Sequence, residues 1–459
     1  MKKYIAILLA LVMVLALAAC GGGNNNTQNP GNDNPGQNQQ QPSGGGTENQ
    51  QQPSGGGAEP AGETIELLWW VPPTFIQDDG DQPGTYEQKL AEEFNNSHPG
   101  IVVRVETIDF TTASDKITTA IESGTAADVL FDAPGRIIEY GKNGKLVPLD
   151  DMFTSDYVAD VGNDDLLTSC QGNGVYYMFP ISASPFYMAI NQQMWEDSGA
   201  IEHVNLEGNR AWTTDDFEKA IEKLAAAGYN PGILFCNGQG GDQGTRAFVA
   251  NLYSGSVADG SKYTFNSEPM IRGLEKAQEW LGKGWLGNGV QYNGGGSIEL
   301  FVAGTTSWEF CWGTSAAGNN AATMEENGVT PISLPFPSDD GKPVLEYLVN
   351  GFCVFDNGDT AKAEAAKTFI KWICDSEENV VRTGAFPVMQ SMGNLYPGDA
   401  EKELLLEFTK MYGPYYNTMD GFANMRAEWF DMLQKITGGG DVTELANAAV
   451  ESSNAGMAG

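Results

Sequence analysis

Hydrolytic chemistry needs a nucleophile with its base, a metal, or a pair of carboxylates, and this chain is poor in the first two. Its only histidines, His98 and His203, fall at a helix end and in a polar loop, an arrangement that offers neither a triad nor a histidine-ligated metal. The acidic run Asp78-Asp79-Gly80-Asp81 lacks the ligand spacing of a calcium loop and reads as a turn. No metal or other cofactor is expected. Carboxylates are plentiful, and any Asp and Glu at the right separation would serve a glycosidase, so that enzyme class stays open as an alternative. Other groups fall where an α/β protein collects binding residues. Asp132 follows the apolar run Val129-Leu130-Phe131 and opens the turn Asp132-Ala133-Pro134-Gly135, while Trp70 lies near the end of a first β-run that leads to Thr74 and Phe75. The loop from Asn237 to Gly244 has no phosphate-cradling pattern, yet its backbone amides, Gln239 and Asp242 are the groups that pair with hydroxyls. Flat aromatic faces cover the C–H patches of a sugar ring. Tyr412, Tyr415, Tyr416 and Phe422 either face such a site or pin the C-terminal helices, with Phe422 the site candidate.

These groups need elements that bring them to one place. Between Ile117 and Asp150 the pattern is helix, strand, turn, helix. Ile117, Ala120 and Ile121 form one apolar helical stripe stopped by Gly124, and the run at 129–131 reads as a strand buried on both faces. Arg136 to Asn143 reads as a second helix, with Ile137 and Ile138 inward and Gly144 as its stop. This is one repeat of an open α/β sheet, and such sheets bind ligands beyond the carboxyl ends of their strands, where Asp132 falls. Thr85 to Gln88 reads as a capping box, Thr360 to Cys374 as a helix, and Asp441 with Glu444 as the cap of the last helix.

The ends and the composition bound the setting. Lys2 and Lys3 precede an apolar run that finishes in Leu17-Ala18-Ala19-Cys20-Gly21, a signal peptide of residues 1–19 with a lipidation sequence at Cys20. From there to residue 62 the chain is rich in Gly, Asn, Gln and Pro and repeats the hexamer Gln-Pro-Ser-Gly-Gly-Gly, a tether with a reach of roughly 35 Å. Membrane attachment is expected through this lipid alone. With 60 acidic against 25 basic residues, the chain is unsuited to nucleic acid or to anionic lipid surfaces. The remaining cysteines, Cys170, Cys236, Cys311, Cys353 and Cys374, have no paired metal or redox spacing and read as buried free thiols.

Five segments carry a family resemblance. S-G-T-A-A-D-V followed by G-K-L-V-P-L-D-D, H-P-G-I-V-V-R-V, the stretch from Gly174 to Pro180 with its following strand to Asn191, F-V-A-G with T-T-S-W-E-F-C-W-G-T, and G-A-F-P-V together resemble the family 1 extracellular solute-binding proteins of ABC importers. The resemblance implies an α/β, two-lobe periplasmic-binding-protein-like fold (type II), each lobe an open, mostly parallel sheet flanked by helices, with the ligand cleft between lobes. It implies lobe 1 from 63–182 and 346–396, and lobe 2 from 183–345 and 397–459. By the same resemblance Ser184 lies where the chain first crosses between lobes, and Trp312 and Thr314 lie where relatives stack a ring on a sugar. The implied function is a monomeric, lipid-anchored receptor on the outer face of the cytoplasmic membrane that passes a carbohydrate, an oligosaccharide by expectation, to ABC permease subunits. A carboxylate-pair glycosidase and an adhesive surface lipoprotein are the alternatives.

Overall fold

A computed structural model describes residues 64–458 except 73, 79, 109–112 and 239. The expectations for Cys20, the tether and Gln239 fall outside the described residues.

The central sheet has eight strands. Strand β1 (Ile65–Val71) pairs in parallel with β2 (Ile101–Thr107) and β3 (Val129–Asp132). Its Leu67, Trp69 and Val71 are buried, and Trp69 meets Phe369 of the Thr360–Cys374 helix edge-on at 5.2 Å. A short hairpin, β4 (Gln171–Gly172) with β5 (Val175–Tyr176), then leads into β6 (Phe179–Asn191), the longest strand. A separate parallel pair joins β7 (Ile233–Phe235) to β8 (Gly287–Gly289). Strands β9 (Trp308–Gly313) and β10 (Pro331–Leu334) pair antiparallel with the later half of β6, and β11 (Tyr347–Val354) pairs antiparallel with its first half and with β3. Strand β12 (Phe386–Pro387) closes onto Ser182 and Ala183. The sheet is therefore mixed: parallel around β1, antiparallel around β6.

Two hydrophobic cores divide along β6. Residues up to Ala183 pack with Leu67, Phe131, Phe352 and Phe369 in the first core, and residues from Tyr187 onward pack with Phe217, Phe248, Trp308 and Trp429 in the second. This is the two-lobe α/β architecture, with β6 running from the first core into the second and β11 lying in the first core beside the first half of β6. The C-terminal helices Phe422–Thr437 and Val442–Ala455 cover the second core.

Local signals explain most helix ends. The Ala113–Ser123 helix stops at Gly124, whose φ of 68° suits a residue without Cβ. The backbone N–H of Glu444 donates to Asp441 at 2.8 Å, the expected cap. The capping box expected from Thr85 does not form. Gly84, at φ 91°, takes the N-cap position, and the Thr85 hydroxyl turns back to the Gln82 carbonyl.

Candidate functional site

The site is built on the crossing strand β6 and on β11 beside it. In β6 every residue is buried except Ser184 and Phe186, and in β11 every residue is buried except Leu348 and Asn350. Two-residue periodicity puts each pair on one face of its strand. Ser184 lies opposite Leu348 and Ser182 opposite Asn350 in the register, and the Asn350 amide donates to the Ser182 hydroxyl at 3.4 Å. One small, uncharged, partly open patch thus lies where the chain passes between the two cores. Ser184 belongs to it as the resemblance implied; Phe186, Leu348 and Asn350 were not anticipated.

On the first lobe Asp132 ends β3 as expected, but it is 7% exposed and its two oxygens accept from Arg136 Nε and Nη2, each at 2.6 Å. Arg136 is the more open partner, at 39% side-chain exposure. It follows Asp132 by four residues, across the turn from the strand into the Pro134–Lys142 helix, and that spacing is the signal that reveals it. Gly135 is exposed, and a Cβ there would lie 3.8 Å from the Asn417 carbonyl. The C-terminal segment therefore comes up against the Pro134–Lys142 helix, whose Lys142 bonds the Thr418 carbonyl at 2.8 Å and Asp420 at 2.7 Å.

On the second lobe a buried ionic network replaces the expected open hydroxyl-binding wall. Asp242 is 1% exposed. It accepts two bonds from Arg426, at 2.6 and 2.7 Å, and a third from the wholly buried Arg246, one helical turn on. Arg246 also donates to Glu346 at 3.2 Å and to the Tyr416 hydroxyl at 2.7 Å, and that hydroxyl donates to Glu346. Phe422 is half-buried, with both guanidiniums about its ring at 5.5 and 5.6 Å. Burial alone would raise the Asp242 carboxyl; the guanidiniums of Arg246 and Arg426 overcome it and hold the group below the usual carboxylate range. Glu346 lacks the second cation, so burial prevails over Arg246 and its carboxyl moves up. Asp242 and Phe422, far apart in sequence, share the same two guanidiniums, and Asp242 is spent on them.

The remaining expectations divide. Phe75, 3% exposed, lies in the first core, 5.1 Å from Phe131 and 6.3 Å from Trp69, so it is a core residue. Trp70, also 3% exposed, donates its indole N–H to Glu106 at 2.7 Å and lies under Lys116; this fixes it to β2 and the Ala113–Ser123 helix. Thr74 is half-buried and bonds the Pro72 carbonyl. Trp312, 1% exposed, meets Phe301 edge-on at 5.2 Å inside the second core, so it offers no stacking face. Thr314 is half-buried at the first turn of the Thr314–Asn327 helix, behind Gly313, which supplies no side-chain cap. Strand β9 leading there carries Glu309, held by the Ser297 hydroxyl and the Cys311 amide. Its complete burial pushes the carboxyl up to about 7. Among the described residues, no group of three or more His, Cys, Asp or Glu side chains could hold a metal ion, and no helix is long and apolar enough to cross a membrane.

Comparison with known proteins places this geometry. The sequence profile of the bacterial extracellular solute-binding proteins matches residues 89–402, well over half of the chain, and the chain belongs to that family. Individual curated relatives match over short segments. A binding protein of Brucella abortus strain 2308 is 27% identical over 116 residues, 25% of this chain and 28% of that protein, so the match spans under a third of that relative. A lipoprotein of Streptomyces antibioticus is 27% identical over 89 residues, 19% of this chain and 20% of that protein. Solved structures share the fold over most of both chains. The cyclic alpha-maltosyl-1,6-maltose binding protein of Arthrobacter globiformis aligns with a TM-score of 0.70 at 20% identity, covering 86% of this chain and 99% of its own. A Listeria monocytogenes ABC substrate-binding protein in complex with cycloalternan aligns at 0.64 and 17% identity, covering 86% of this chain and 100% of its own. A Thermotoga lettingae solute-binding protein bound with alpha-D-tagatose gives those same four values.

Proposed function

We propose that the protein is a lipid-anchored, extracellular receptor of an ABC importer that binds a carbohydrate, an oligosaccharide in the simplest reading, between its lobes and delivers it to permease subunits. The observation that carries this reading is the uncharged, partly open patch of Ser184, Phe186, Leu348 and Asn350, on the strand that passes from one core into the other and on its antiparallel neighbour. A ligand resting there touches both halves, so the closed arrangement gains contacts that the open one lacks. Phe186 and Leu348 offer apolar surface for C–H groups, and Ser184 and Asn350 offer donors and acceptors for hydroxyls. Family membership supports the extracellular setting, and the ligands of the sugar-binding structures with the same fold support the ligand class. Lipid attachment at Cys20 rests on the N-terminal sequence. A monomer suffices, because both walls come from one chain.

A thermal-shift screen against mono- and oligosaccharides tests the reading. Ligand at a hundred times its dissociation constant should stabilise the protein by about 2.7 kcal/mol. Absence of any shift across neutral and charged carbohydrates would count against it. Bond cleavage with turnover would move the protein to the glycosidases, and binding to cells or matrix without any small-molecule shift would indicate an adhesin.

A further inference from the structure

Neighbouring residues near the C-terminus are anchored in opposite lobes. Tyr412 and Tyr415 pack on the first core, where Tyr412 stacks on Tyr347 at 4.1 Å and Tyr415 lies 5.2 Å from it. Tyr416 and Met419 pack on the second core, and the Tyr416 hydroxyl is bonded to Arg246 and Glu346. The loop that follows is pinned to the second lobe, because the hydroxyl of Tyr263, wholly buried in that core, donates to the Asp420 carbonyl at 3.0 Å. The same loop is held from the first lobe. Lys142 lies on the helix whose Ile137 and Ile138 fill the first core, and its ammonium donates to the Thr418 carbonyl at 2.8 Å and to the Asp420 carboxylate at 2.7 Å. Asp420 thus takes one bond from each lobe, its carbonyl from the second and its carboxylate from the first. We propose that Lys142 is a latch between the lobes, tying the C-terminal loop of the second lobe to the first and limiting how far the lobes move relative to one another when no ligand is bound.

An exposed ion pair alone contributes little. This one is better placed, because the Lys142 side chain is only 23% exposed and the ammonium serves a carbonyl as well as a carboxylate. The loop cannot follow the first lobe while Tyr263 and Tyr416 fix it to the second, so a relative movement of the lobes has to stretch the Lys142 bonds. The four-carbon lysine stem accommodates small displacements, and larger ones break the contact. The contact is therefore an element with two arrangements, made or broken, and it biases the lobes toward the separation at which it is made. The proposal depends on the two lobes and not on what the protein binds, so it can stand or fall apart from the receptor reading.

The experiment measures the distance between the lobes directly, by electron-spin double resonance on the full chain carrying Cys20→Ser, with spin labels at Glu92→Cys on the first lobe and Glu326→Cys on the second. Both positions are exposed, and the five remaining cysteines are buried and free, so the label goes to the introduced thiols. Without ligand, the parent should give one main distance. Lys142→Met, which keeps the stem and removes the charge, should raise the population outside that main peak by about two- to fivefold. Lys142→Arg should restore the parent distribution, and Asp420→Asn should fall between parent and Lys142→Met because the Thr418 carbonyl remains. Raising the salt from 0.1 to 1 M shortens the screening length from about 10 Å to about 3 Å, so it should broaden the parent distribution and leave Lys142→Met unchanged. Melting temperatures show that each variant is folded, and the salt series tests the latch in the parent itself if one is not. Superimposable distributions for parent and Lys142→Met, or a parent distribution indifferent to salt, would overturn the latch while leaving the receptor reading untouched.

Discussion

Glu309 shows how a single buried group sets a condition on the whole chain. Its carboxyl is 1% exposed, with burial raising it to about 7, whereas an unfolded glutamate titrates near 4.3. The folded state thus keeps a proton that the unfolded state gives up. Its contribution is fully present below about pH 4 and is lost as the pH rises through 7, a change on the order of 3 kcal/mol. Glu309→Gln retains the shape and cannot ionise, so denaturation midpoints of variant and parent should separate in the variant's favour between pH 5 and pH 8. Identical pH profiles would show that Glu309 does not titrate in that window. The same scale shows what residue type reveals and what it hides. Asp132 was legible as the end of a strand and Asp242 as the start of a helix, but not the arginine pairings that take up both carboxylates. The core roles of Trp312 and Phe75 were not legible, since an aromatic side chain suits a core as well as a cleft, and only the strand's facing decides which. Arg246 hid inside a helix pattern, although its position four residues after Asp242 is a readable pairing.

At the scale of elements, the crossing strand β6 and its neighbour β11 carry the argument. Strand β11 has an irregular register between Asn350 and Gly351. A Cβ on Gly351 would lie 2.5 Å from the Phe179 carbonyl and 2.9 Å from Pro180 Cα. Gly351→Ala must therefore push β6 and β11 apart, at a cost of about 1–3 kcal/mol. The melting temperature should fall, and ligand affinity should fall with it because Asn350 is the adjacent residue. Unchanged stability and affinity would mean that the crossing tolerates spreading. Much of this scale could be read beforehand. The Ile117, Ala120 and Ile121 stripe, the stop at Gly124 and the cap at Asp441 are local signals that the tertiary structure leaves intact. The site patch was hidden, because β6 is buried on both faces at each end and opens only at Ser184 and Phe186. No alternation of polarity marks such an opening, which arises from the gap between two cores and not from the strand itself. The Thr85 capping box failed for a related reason: Gly84, packed against Thr107, took the cap position.

For the whole molecule, the account joins a folded receptor to a lipid by a tether, and these parts should be separable. Cys20→Ser should move the protein from the membrane fraction to the medium while its ligand affinity stays the same; retention in the membrane would remove the lipid from the account. Central to everything is that the two lobes hold a sugar without altering it. One calorimetric titration with the best-binding oligosaccharide, followed by chromatography of the recovered sugar, tests this most directly. The account predicts saturation at one sugar per chain and recovery of the sugar intact. Cleaved product accumulating beyond one equivalent, or no saturable heat with any carbohydrate, would contradict it.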